Sequence, residues 1–133
     1  MIHMDFSENI FSLLAKMNER PMMFLEDKSL KKLYYFLCGY LAGWQAATGK
    51  RLYFQNRFQD FIEARYPSIE EEYDTQNWYN ILSQNYVGEE TFSVFFREME
   101  LFRKIVGTGP DSLLYSAPER SDWAVIAVKN LCE

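Results

Sequence analysis

Leu30, Leu33, Tyr34, Leu37, Tyr40, Leu41 and Trp44 fall three and four residues apart along the chain, which puts all of them on one side of a helix. A strand would throw them onto both faces, so the stretch has one way to hide its apolar side chains together. Asp27 or Ser29 offers the N-cap and Gly49 a stop. A helix with so broad an apolar stripe needs other elements to cover it. Gly39 and Gly43, four apart on the same helix, predict that a neighbour approaches closely there, because glycine costs about 1 kcal/mol relative to alanine in a helix interior.

The covering elements show the same period. Asp5 or Ser7 caps a first helix with Ile10, Phe11, Leu13, Leu14 and Met17 inward, ending near Arg20. Pro21 biases Arg20 away from helical backbone, so Arg20 to Glu26 reads as an extended connector with Met22 to Leu25 on the core. Leu52, Tyr53, Phe54, Phe58, Phe61, Ile62 and Tyr66 support a third helix that stops before Pro67. Thr75 or Asn77 caps the next, carrying Trp78, Tyr79, Ile81, Leu82 and Tyr86, and Gly88 ends it. Glu89 and Glu90 then open a helix faced by Phe92, Phe95, Phe96, Met99, Phe102 and Ile105.

Gly107-Thr108-Gly109-Pro110 and Ser116-Ala117-Pro118 break the pattern, and Trp123 to Leu131 fits a helix or a strand, with Ser121 or Asp122 as a cap that favours a closing helix. The expected fold is all-α, a single-domain bundle of about five to six helices with an irregular C-terminal segment. Residues 1–106 form its helical core, and 107–133 pack on it as an extension. A chain of 133 residues supplies one hydrophobic core and not two.

Chemistry is sparse. His3 is the lone histidine, and Cys38 and Cys132 lie far apart, Cys38 reading as a small buried helix residue. Neither a catalytic pair nor a zinc set can be composed from them, so no catalytic residue, metal ligand or cofactor site is expected. The acidic run Glu70-Glu71-Glu72-Tyr73-Asp74 lacks the alternating ligands and central glycine of a calcium loop. The glycines after Ile105 lack the Lys-Ser/Thr ending of a phosphate loop. Glu63 and Glu98 could act as a carboxylate pair, but nothing in the sequence selects them.

The net charge of -5 and pI of about 5.0 argue against nucleic-acid binding and favour a basic partner. Lys28, Lys31, Lys32, Lys50 and Arg51 bracket the long helix, with Lys31 and Lys32 facing solvent. The N-terminus carries acids where a signal peptide has bases, and no window reaches the roughly 20 apolar residues of a membrane span. The cytoplasm is the expected address, with no membrane partner.

Arg20-Pro21-x-Met23-Phe24-Leu25, followed by Ser29-Leu30-x-x-Leu33-x-x-Phe36-Leu37-x-Gly39-Tyr40, resembles a group of small bacterial proteins with an Arg-Pro-x-Met-aromatic turn and a Ser-Leu…Gly-Tyr helix. Met22 stands where the turn of that group more often has Gly. The segment Phe58 to Tyr66, the Trp78-Tyr79-x-Ile81-Leu82 helix and the Glu90-x-Phe92-x-x-Phe95-Phe96 helix are similar too.

The group resembles the immunity partners of polymorphic toxins, including those of contact-dependent growth inhibition. The resemblance implies a non-enzymatic protein that binds a cognate toxin, expected to be a basic nuclease, and occludes its active site or substrate groove. The toxin-binding candidates are Glu70, Glu71, Glu72 and Asp74, with Glu89 and Glu90 and an exposed Tyr73 or Trp78 as aromatic anchor. The protein would act as a monomer or weak homodimer. A helical interaction or regulatory module without a toxin partner is the alternative, and a small hydrolase or transferase using carboxylates or Tyr ranks third.

Overall fold

A computed structural model describes residues 10–66, 77–106, 124, 128 and 129. Among these, six helices and no strand are present: α1 (Ile10–Glu19), α2 (Pro21–Leu25), α3 (Leu30–Thr48), α4 (Phe54–Arg65), α5 (Trp78–Asn85) and α6 (Glu90–Val106). The expected all-α bundle is the observed one.

Local chemistry sets the helix ends. Ser29 holds an extended backbone and its hydroxyl accepts from the Lys32 N–H at 3.3 Å, starting α3. Gly49 stops it in the left-handed region at φ 72°, its N–H donating to the Gln45 carbonyl at 2.8 Å. Asn77 caps α5, its Oδ1 accepting from the Asn80 N–H at 2.9 Å.

Two expectations about the N-terminal half are corrected. The stretch after Arg20 is a short helix and not an extended connector. Pro21 occupies its first turn, where the missing N–H would have no intrahelical partner anyway, and only Arg20 is held out of helical backbone, at φ -135°. Pro21 and Leu25 are buried, but Met22 and Met23 are 69% and 55% exposed, so this turn packs only partly on the core. Gly39 and Gly43 are the second correction: both are exposed, and a Cβ on either would meet nothing within 4 Å among the described residues. No described neighbour explains them.

The buried residues form one cluster drawn from all six helices. α4 packs on α5 and α6, α5 on α6, and α3 lies across both, while α2 joins α1 to α3. Phe58 is central, with ring centroids of Phe54, Trp78, Phe95 and Phe102 at 5.6, 5.2, 5.5 and 5.3 Å. Edge-to-face geometry dominates, the arrangement that ring quadrupoles favour. Beyond residue 106, Ala124 is buried and Val128 packs against the cluster.

Candidate functional site

Two polar features stand on this apolar frame. One is a cleft of about 450 Å³ walled by Tyr34 and Cys38 of α3, the α4 residues Gln55, Asn56, Gln59 and Asp60, and Asn77 and Trp78 at the start of α5. The position of the α4 groups follows from helical period. Phe54, Phe58, Phe61 and Ile62 turn inward, which leaves the amides and Asp60 on the flank toward α3 and α5.

The floor of the cleft is fixed by contacts on several sides. Trp78 is 1% exposed, and its indole N–H donates to Gln55 Oε1. The other end of the same amide lies 3.6 Å from Cys38 Sγ. Tyr34 stacks on Tyr79 at 5.8 Å and meets Trp78 edge-on at 5.3 Å. Burial, with the Cys38 thiol next in weight, pushes the Tyr34 phenol above its ordinary value of 10.0, so it is a neutral hydroxyl at neutral pH. Cys38 is therefore an exposed wall residue and not a buried helix filler. Sequence could not show this, since the period that buries Leu37 and Tyr40 leaves position 38 on the flank.

The second feature is an ion cluster around Glu98, a fully buried carboxylate on α6. Arg65, at the end of α4, grips it with two parallel bonds, Nε to Oε2 at 2.7 Å and an Nη to Oε1 at 2.9 Å. The Tyr66 hydroxyl donates to Oε1 at 2.9 Å and lies 3.1 Å from the Tyr86 hydroxyl. Arg97 donates to Tyr86 at 3.0 Å, and its Nη is 3.4 Å from Oε1.

Burial pushes the Glu98 carboxyl up, but the bonds from Arg65 and Tyr66 outweigh it and hold the group below its ordinary 4.5. Burial and the contacts with Tyr86 and Glu98 push the Tyr66 phenol well above its usual range. With both oxygens so engaged, Glu98 has none to turn toward a substrate. Glu63, the other carboxylate of the pair considered above, accepts from Gln59 Nε2 at 3.3 Å.

The binding residues expected from sequence are distributed as follows. Glu89 and Glu90 are exposed at the start of α6. Trp78 is corrected: it is a core residue, its ring against Phe58 and Phe95 and its N–H used internally, so it presents no exposed anchor. Glu70, Glu71, Glu72, Tyr73 and Asp74 lie outside the described residues. The residues flanking them do not. Tyr66 is bound into the Glu98 cluster, and Asn77 caps α5 at the edge of the cleft.

No group of three or more His, Cys, Asp or Glu among the described residues could hold a metal ion. No described helix is long and apolar enough to cross a membrane. Compared with known proteins, the chain matches no family model, no curated protein and no solved structure.

Proposed function

We propose that the protein is an immunity protein: it binds a basic bacterial toxin domain, a nuclease being the best fit, and neutralises it by covering the cationic surface that receives substrate. The resemblance of the Arg20 to Tyr40 stretch to that group of small bacterial proteins supports this reading. The observation that carries the binding mode is the anchoring of Tyr66 and Asn77, the two residues from which the acidic segment 67–76 departs and to which it returns.

Charge supports the same reading. Glu70, Glu71, Glu72 and Asp74 stand without a base among them, and without these four the chain would be within one charge of neutral. A localised negative field steers a cationic partner and raises its association rate. Glu89 and Glu90 add two exposed carboxylates at the far end of the α5–α6 connection.

A second reading has its own observation. Met22 and Met23 expose apolar, adaptable side chains on α2, which suits a helical interaction module or a weak homodimer. Light scattering distinguishes it: a stable dimer of the free chain supports this alternative, and a monomer supports the first.

The direct test is co-expression with the product of the adjacent upstream gene in a growth-arrest assay. Protection is expected with the intact chain and is lost when the four carboxylates of 70–74 become amides. Growth arrest unaffected by the intact chain would count against the immunity reading.

A further inference from the structure

The cleft between α3, α4 and α5 has a lining that selects the chemistry of a ligand. We infer that it is a receptor for an arginine side chain presented by the partner, which rests on the reading of a basic partner given above. Asp60 is the one carboxylate in the lining and no lysine or arginine contributes to it; the rest is a phenol, a thiol, four amides and the buried indole. An anionic ligand would find no cation in that wall. A guanidinium, planar and donor-only, finds the Asp60 carboxylate with the side-chain oxygens of Tyr34, Asn56 and Gln59, while the Gln55 and Asn77 oxygens already accept from the Trp78 indole and the Asn80 N–H.

Three further observations bear on the occupant. Asn77, at the rim, lies three residues beyond Asp74, so the cleft and the four carboxylates of 70–74 are neighbours along the chain. The volume of about 450 Å³ suits a single long side chain or a small molecule. Its floor is held in place by the Trp78–Gln55 hydrogen bond and the Tyr34–Tyr79 stack, so little has to be ordered on binding. Arg57, one turn from Asp60 and half-buried, interacts with that carboxylate. Burial pulls its guanidinium below its ordinary value and Asp60 opposes that, so an incoming guanidinium shares the carboxylate with Arg57. A lysine would use the same charge but not the fan of oxygens, so arginine is the better occupant.

The test uses the free, full-length chain and no toxin, so it can fail independently of the immunity reading. Uniformly ¹⁵N-labelled protein is titrated with N-acetyl-arginine amide and, separately, with its uncharged isostere N-acetyl-citrulline amide. Saturable shifts are expected at the Trp78 indole N–H and the side-chain amides of Gln55, Asn56, Gln59 and Asn77. The arginine compound should bind about tenfold more tightly than the citrulline one, the worth of a charge-assisted hydrogen bond. Asp60→Asn should remove that preference while leaving the citrulline affinity unchanged. Equal affinity for the two compounds, linear unsaturable shifts, or saturable shifts confined to Glu89 and Glu90 would each overturn the proposal. The comparison of the two compounds on the unaltered chain stands even if Asp60→Asn does not fold. Arginine binding without toxin neutralisation would leave the cleft assigned and the immunity reading refuted.

Discussion

Arg65 and Glu98, thirty-three positions apart in sequence, form a bidentate ion pair that ties the end of α4 to the middle of α6. The carboxylate is fully buried and the guanidinium side chain is 25% exposed, so the pair sits at the boundary between core and surface. Removing the arginine strands a charge inside. Arg65→Met is expected to lower unfolding free energy by about 3 kcal/mol. Arg97→Met, which removes the longer contact of 3.4 Å from a side chain that is 55% exposed, should cost less than about 1 kcal/mol. Chemical denaturation of both variants checks the contrast.

The same carboxylate gives stability a pH dependence. Glu98 titrates below its ordinary 4.5 in the folded chain, so the unfolded chain binds the proton more readily. Its contribution is in place above pH 4.5 and is lost as pH falls through the lower folded value. The denaturation midpoint should therefore drop on acidification below 4.5, and Glu98→Gln should flatten that limb of the curve while lowering stability at neutral pH.

The core has one ring that others depend on. Phe58→Ala removes the side chain packed among Phe54, Trp78, Phe95 and Phe102 and leaves a cavity that rigid aromatics fill poorly. A loss of about 3–5 kcal/mol is expected by thermal or chemical unfolding.

Gly39 and Gly43 provide the opposite sign. Both sit in α3, and no described residue comes within 4 Å of where a Cβ would go, so alanine adds helix propensity without meeting any of them. Gly39→Ala and Gly43→Ala should each raise stability by about 0.5–1 kcal/mol, read as a higher melting temperature.

Much of this architecture is legible in the sequence, because helix boundaries depend on near neighbours. Ser29, Gly49 and Asn77 do what their residue types suggest, and α1 buries all five residues that the period selects, while Leu52, Tyr53 and Tyr66 around α4 and Phe96 and Ile105 of α6 are only half-buried. Pro21 misleads because the restriction it imposes falls on Arg20, while the proline itself suits the first turn of a helix. Glu98 was visible in one respect: it follows Phe95 by three and precedes Phe102 by four, a carboxylate in an apolar stripe. A charge at such a position requires a buried partner, but only folding shows that Arg65 is the one. Trp78 and Cys38 exchange their expected environments for the same reason, since burial at a helix flank is decided by what packs there. The cleft was not legible, because it needs Tyr34 and Cys38 from α3 to meet the amides of α4.

Calorimetric titration of the purified chain with the product of the adjacent upstream gene measures whether the acidic segment between Tyr66 and Asn77 binds a basic toxin. A one-to-one complex is expected that weakens as salt is raised and loses about tenfold or more in affinity when Glu70, Glu71, Glu72 and Asp74 are changed to amides. Absence of a complex, or one indifferent to both salt and those four substitutions, would refute toxin binding by this segment.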